Sequence, residues 1–281
     1  FDRVQHDVLM ARVARKVRDK RLLKLIGRYL RAGVLVDGLC QPSDEGTMQG
    51  GPLSPLLSNI YLDDLDKELE RRDLPFVRYA DDFVIFTKSE AAAQRVYRSV
   101  ERFLTERLKL TVNHDKSSLR RADGLEYVGY EFRGYGGQIR VSKKKIAAFK
   151  RRAKEIFRRN RGVSMETRYA TFRSYARGWL GYFALDQVRT TFANLDKWLR
   201  RRVRACYWKQ WRKSSTRLKQ LISRGVHPRV ARGFALSGKG PWRLSATSGV
   251  QRALSNECLA AEGLFSLQEH WKSLASLRRN A

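Results

Sequence analysis

Two adjacent carboxylates, Asp81 and Asp82, lie between two short apolar runs, Phe76-Val77-Arg78-Tyr79 and Phe83-Val84-Ile85-Phe86. Short runs rich in β-branched and aromatic residues favour strands, so Ala80-Asp81-Asp82 is expected to form a tight hairpin turn with both acids at its tip. Hard divalent cations need oxygen ligands brought close together, and a turn pinned by two strands does this for neighbouring aspartates. The chemistry such a pair can serve is nucleotide transfer. One cation lowers the pKa of an attacking hydroxyl, and a second neutralises the triphosphate and the departing pyrophosphate. An Asp-Asp pair taken alone is more commonly a solvated turn. Here the apolar flanks argue for a site, as does the segment Gly46-Thr47-Met48-Gln49-Gly50-Gly51-Pro52-Leu53-Ser54-Pro55 one helix upstream.

The elements that must hold this turn follow from hydrophobic period. Val8, Leu9, Val13 and Val17 recur at helical spacing from Asp7 to about Arg18, and Leu22, Leu23, Ile26 and Leu30 continue a second helix to Gly33. A polar, Gly- and Pro-rich loop from Asp37 to Pro55 leads into a helix over Leu56 to Arg71. Ser89-Glu90 opens a helix with Ala93, Val96, Val100, Phe103 and Leu104 on one face, and Leu110-Thr111-Val112 and Tyr127 to Phe132 are expected to be strands. The order is mixed α+β. Beyond Ser142 the period is helical throughout. One stripe is Ile146, Phe149, Ile156 and Phe157; a second is Met165, Tyr169, Phe172, Ala176, Trp179 and Phe183; a third is Leu195, Leu199, Val203 and Cys206.

Charge divides the chain at the same place. The 281 residues carry 58 Lys and Arg against 28 Asp and Glu, a formal charge of +30 that makes a polyanion the default partner. Up to Val141 there are 25 basic and 21 acidic residues; from Ser142 onward there are 33 and 7. A nearly neutral region therefore precedes one suited to lie along phosphates. No apolar stretch approaches the roughly 20 residues of a membrane-spanning helix. Cys40, Cys206 and Cys258 are too scattered for a disulfide framework or a Cys-x-x-Cys zinc site, which fits a reducing compartment. The chain opens on Phe1 rather than Met and without a cap or turn, and reads as a fragment whose upstream part is missing.

The Gly46 to Pro55 segment and Tyr79-Ala80-Asp81-Asp82 resemble motifs B and C of a reverse transcriptase, and the long form of the first is similar to that of the group II intron reverse transcriptase/maturase family. Phe1-Asp2 resembles the tail of the family's motif A, Asn113 to Lys116 its motif D, and Tyr127-Val128-Gly129-Tyr130 its primer grip. The resemblance implies that Asp81 is a metal ligand and Asp82 its neighbouring carboxylate, either binding metal or shaping the local field. Gln49, Gly50 and Gly51 would line the nucleotide pocket, the glycines letting backbone approach a sugar or base. Phe1 aligns with the aromatic residue that excludes a 2′-hydroxyl. Lys116 would protonate the departing pyrophosphate, and Arg78 would hold a phosphate or pair with an acid. The family's first catalytic aspartate would precede Phe1, and Asp2 lies on the wrong side of the aromatic to replace it. The expectation is a polypeptide inactive as given, although the intact protein polymerises DNA.

In the basic half, the helix Asn194 to Arg212 turns Leu195, Leu199, Val203 and Cys206 to one side and Lys197, Arg201, Arg204, Trp208 and Trp211 largely to another. Cations interleaved with indoles suit nucleic acid, neutralising phosphates and stacking on bases. Gly178 to Phe183 and Arg204 to Arg212, the latter including Lys209, resemble the family's thumb and maturase signature, and Gly238 to Ser245 a segment of its C-terminal region. Nothing after Leu277 matches the zinc-supported endonuclease domain of some members. Lys143-Lys144-Lys145 and Arg151-Arg152 suggest further backbone contacts, whereas His6, His114, His227 and His270 have no partner at metal-ligand spacing.

The expected organisation is a partial reverse-transcriptase palm over 1–141, with helices and a small antiparallel sheet, an all-helical thumb/maturase domain over 142–225, and a basic nucleic-acid-binding region over 226–281. The resemblance implies an RNA-directed DNA polymerase of a mobile group II intron that binds intron RNA and assists its splicing. Its cofactor would be two Mg²⁺ ions, for which Mn²⁺ can substitute. Its partners would be intron RNA, an RNA template with DNA primer, target DNA and dNTPs, in a bacterial cytoplasm and without a membrane. Two alternatives stand beside it: a splicing maturase that needs no polymerase activity, and a group II-like enzyme serving bacterial defence.

Overall fold

The computed structural model describes residues 4–32, 34–36, 39–41, 46, 53–134 and 137–279. It divides into two compact units, Phe1–Arg120 and Arg121–Ala281.

In the first unit, α1 (His6–Lys16) and α2 (Lys20–Arg31) are followed by a short hairpin of β1 (Val34–Val36) and β2 (Leu39–Gln41). Then come α3 (Ser54–Arg71), the hairpin β3 (Phe76–Tyr79) and β4 (Asp82–Ile85), and α4 (Glu90–Glu106). Local chemistry sets the boundaries. Asp19 accepts the Arg21 and Leu22 amides at the start of α2, and Ser89 accepts the Ala92 amide at the start of α4. Pro55 lies in the first turn of α3, where a missing N–H costs nothing. Leu57, Tyr61, Leu65 and Leu69 of α3 form the spine of the core, with Leu9 and Val13 of α1, Ile26 and Leu30 of α2, and Val100 and Leu104 of α4 packed around them.

Residues 110–112 do not form the expected strand. Lys109 adopts a left-handed φ of 50° and the Leu110 amide bonds back to the Leu104 carbonyl at 2.9 Å, closing the end of α4 with no strand alongside. The β1–β2 hairpin departs from expectation: β2 falls inside the loop read from Asp37 to Pro55, and β1 just before it.

The second unit opens with a three-stranded antiparallel sheet of β5 (Glu126–Tyr127), β6 (Tyr130–Arg133) and β7 (Gln138–Val141). The run Tyr127 to Phe132, expected as one strand, is bent into a hairpin because Val128 and Gly129 both have positive φ, 49° and 83°, as a two-residue type I′ turn requires. A Cβ on Gly129 would lie 3.0 Å from Lys145 Cε and 3.2 Å from Phe183 Cε1, so that position suits glycine twice over. The Tyr182 hydroxyl donates to the Val128 carbonyl at 2.9 Å and braces the strained residue.

Helices then follow: α5 (Lys143–Ile156), α6 (Met165–Phe183), α7 (Thr190–Gln210), α8 (Ser214–Ser223), α9 (Pro228–Ala235), α10 (Pro241–Leu244), α11 (Ser248–Ala253), α12 (Asn256–Ala261) and α13 (Leu267–Arg279). The three stripes read from the sequence all face one core, with Ile146 and Trp179 at its edge. Tyr130 and Val141 of the sheet share that core, as do Leu244, Leu254, Leu259 and Leu267. The compact units part at 120/121, with the three-stranded sheet on the helical side, and residues 226–281 pack with the preceding helices.

Buried polar groups knit this unit. Arg168, 1% exposed, donates to the carbonyls of Arg158 at 2.8 Å, Val163 at 3.3 Å and Arg161, fixing the α5–α6 connection with no carboxylate. Asp196 on α7 accepts the Leu267 and Gln268 amides at 3.0 and 3.1 Å and so caps α13 from another helix. Asp186 accepts the Val141 amide at 2.8 Å and ties β7 to the start of α7.

Candidate functional site

The β3–β4 hairpin pairs Tyr79 with Asp82, which leaves Ala80 and Asp81 as a two-residue turn. Ala80 has φ 55°, the left-handed geometry that lets such a turn match strand twist. Strand alternation does the rest. Phe76 packs against the unit's core, whereas Val77 and Tyr79 face outward, Tyr79 at 62% exposure. Asp81 and Asp82 are both exposed at the tip.

One guanidinium holds this tip in place. Arg78 forms a two-pronged ion pair with Asp66 of α3, with Nε to Oδ1 at 2.8 Å, and Nη1 donates to Asn59 Oδ1 and to the Ala80 carbonyl, each at 2.8 Å. The two readings of Arg78 thus resolve toward the acid, and the acid lies on the helix behind the turn. The geometry is rigid because a bidentate Arg–carboxylate pair fixes orientation as well as distance.

Adjacent exposed carboxylates suit a hard cation, and Mg²⁺ is commonly held by one or two carboxylates with water and substrate phosphates completing its shell. Asp81 and Asp82 fit that role as donors. Among the described residues no group of three or more His, Cys, Asp or Glu side chains converges. Lys116 is exposed in the turn after α4, its amide donating to the Asn113 carbonyl and side-chain oxygen, both at 3.2 Å. His114 in the same turn contacts Tyr97 Oη at 3.1 Å and Glu101 at 3.2 Å, anchoring it to α4. Phe1, Gln49, Gly50 and Gly51 lie outside the described residues.

On α7 the expected nucleic-acid face divides. Lys209 and Arg212 are exposed. Arg201 stacks 4.3 Å from the Trp242 ring and donates to its carbonyl at 3.3 Å, while Arg204 is buried and donates to the Leu254 carbonyl at 2.8 Å and Asn256 Oδ1 at 3.1 Å. Trp208 and Trp211 are 0% and 7% exposed and belong to the core. As platforms for bases they do not fit, because both rings are buried and Arg217 of α8 covers the Trp208 ring at 5.2 Å. Periodicity in α7 reveals one buried face; the second is closed partly by the segment that follows, where Arg217 covers Trp208 and donates to the Trp211 carbonyl at 2.8 Å. Arg200, missed in the sequence, joins Lys197, Arg201 and Arg204 along one cleft.

Residues 1–132 match the reverse transcriptase (RNA-dependent DNA polymerase) family, and residues 146–224 the group II intron, maturase-specific domain. With both matches in this order, the chain belongs to the group II intron reverse transcriptase/maturase family. It is 32% identical over 179 residues to Protein YkfC of Escherichia coli, covering 50% of this chain and 47% of that protein. It is 25% identical over 198 residues to the group II intron-encoded protein LtrA of Lactococcus lactis, covering 47% and 33%. A 70-residue stretch is 41% identical to an uncharacterized 91 kDa protein in the cob intron of Schizosaccharomyces pombe, covering 25% and 9%. The matched region is thus less than half the length of each of these relatives. No helix among the described residues is long and apolar enough to cross a membrane.

Proposed function

We propose that the whole protein copies RNA into DNA for a mobile group II intron, and that its helical half binds the intron RNA and assists splicing. The observation that carries this reading is the exposed Asp81-Asp82 pair on a hairpin braced through Arg78 to α3, in a chain whose following residues match a maturase domain. Asp81 and Asp82 would hold divalent metal, Mg²⁺ with Mn²⁺ as a substitute, whose charge would lower the pKa of the primer hydroxyl and offset that of the triphosphate. Arg78 keeps both carboxylates at the tip. Lys116 delivers a proton to the departing pyrophosphate. Phe1, Gln49, Gly50 and Gly51 shape the nucleotide pocket. Lys209, Arg212 and the α7 cations hold RNA through its phosphates.

Primer extension on an RNA template tests the polymerase. Asp81→Ala in the whole protein lowers the rate on the order of 10³-fold, the scale of removing one preorganised charge partner from a reacting centre, while splicing of the intron proceeds. Undiminished extension by Asp81→Ala would overturn the assignment, and absence of extension by the unaltered protein would leave only the splicing role.

A further inference from the structure

A cleft of about 460 Å³ opens between α7 and the segment that runs from α10 to α12. Lys197, Arg200, Arg201 and Arg204 line one wall. On α7 they occupy one face at i, i+3, i+4 and i+7, a row of about 10 Å. Ser245, Gln251 and Asn256 furnish neutral polar groups opposite, and Glu257 is the one acid in the lining among the described residues. Its carboxylate is taken by the Ser255 hydroxyl, which holds it below the usual carboxylate range.

The guanidinium groups are positioned by neutral acceptors. Arg204 is fixed by the Leu254 carbonyl and the Asn256 amide oxygen, and Arg201 by the Trp242 carbonyl and ring. Arg201 Nε is also buried without a hydrogen-bond partner. Asp196, near Arg200, has its oxygens engaged by the amides that start α13 and by Ser266. Burial and then the neighbouring Arg200 charge push the Arg204 guanidinium down from its ordinary value, as expected where cations crowd without a counter-charge. Among the described residues none of the four cations makes an ion pair, and with Glu257 the one acid of the lining the cleft keeps an excess of positive charge that an anion complements.

We propose that this cleft is a phosphate subsite that receives about two successive phosphates of a single-stranded RNA backbone. It extends the RNA grip beyond the matched maturase segment into residues 241–257, and it rests on the reading that this half binds RNA. The row of cations sets polarity and register rather than sequence, because phosphates carry no base information. It also gives α10, only four residues long, a reason to be pinned by Arg201 through Trp242.

Two variants of the protein test it in filter binding of a single-stranded RNA between 50 and 200 mM salt. Lys197→Gln with Arg200→Gln lowers the slope of log affinity against log salt by about 2, one per lost phosphate contact. Ala246→Glu adds a carboxylate to the exposed rim and removes no observed contact; it weakens RNA binding roughly tenfold or more while the melting temperature is kept. Wild-type slope and affinity in both variants would overturn the subsite while RNA binding itself stood. An unaltered protein that fails to bind RNA would overturn the broader reading, and the subsite with it. Inorganic phosphate supplies the remaining arm. It competes only at millimolar concentration if the backbone is the ligand; competition as strong as that of RNA would assign the cleft to a free anion.

Discussion

The two units differ in what their most buried charges serve. In Phe1–Arg120, carboxylates brace arginines: Arg12 and Arg15 share Asp64, Arg71 and Arg72 share Glu68, and Arg78 grips Asp66. Asp81 and Asp82 are exposed acids at the tip of the hairpin whose turn begins at Ala80, with φ 55°. In Arg121–Ala281, the most buried acids serve backbone instead. Asp186 and Asp196 accept amides, and the most buried arginine, Arg168, donates to carbonyls. Some acids of the second unit still pair, Glu131 with Arg133 and Arg140 and Glu262 with Arg224, but the cations far outnumber the acids and the rest can face a polyanion. The lesson is that net charge alone does not locate a binding surface; the partners of the buried charges decide which cations are left over.

The largest effect separates core from interface. Trp208→Ala should lower the stability of the second unit by about 3–5 kcal/mol, read as a fall in melting temperature, because a fully buried ring leaves a cavity. A loss of RNA affinity worth about 1–3 kcal/mol at unchanged melting temperature is instead the mark of base stacking, and would return Trp208 to the interface. Next comes Asp196→Ala, which strips α13 of its cap and leaves two amides and the Ser266 hydroxyl without an acceptor. The expected cost is about 2–3 kcal/mol in chemical denaturation, with faster amide exchange at the start of α13.

Much of this was legible in the sequence. The two β-prone runs around Asp81-Asp82 dictated a hairpin, and the helical stripes of the basic half all reached the core. What escaped depends on contacts distant along the chain or on backbone conformation. Val128 carries no signal for a left-handed turn, so one strand was expected where two lie. Charge marked a boundary at 141, yet the sheet before it buries Tyr130 and Val141 against α6 and its neighbours, moving the division to 120/121. Trp208 and Trp211 look like an aromatic–cationic face, yet both are buried in a core that draws on residues as distant as Leu254 and Leu259.

A third prediction asks whether the brace matters to chemistry. Arg78→Lys keeps the charge but gives up the fork that spans Asp66, Asn59 and Ala80. Primer extension by the whole protein should fall about 10- to 100-fold, as for residues that orient ligands from behind, and RNA affinity of the basic half should stay put. Equal extension by Arg78→Lys would show that the turn holds the carboxylates unaided.

The smallest effect opposes the two units in pH. Hydrogen bonds from Arg71, and then from Arg72, hold the Glu68 carboxyl at about 2, so its contribution is complete above the unfolded value near 4.5 and is lost as pH falls toward 2. Burial raises Asp186 and Asp196 despite their hydrogen bonds, so their contribution is greatest below the unfolded value near 3.8 and declines as pH rises through the folded one. Glu68→Gln should therefore cost less than about 1 kcal/mol at pH 7, since Arg71 is well solvated, and nothing near pH 2. Melting of the first unit in acid, followed in the protein and in Glu68→Gln, should converge as pH drops; curves that stay parallel would mean that the arginines hold Glu68 no better than water does.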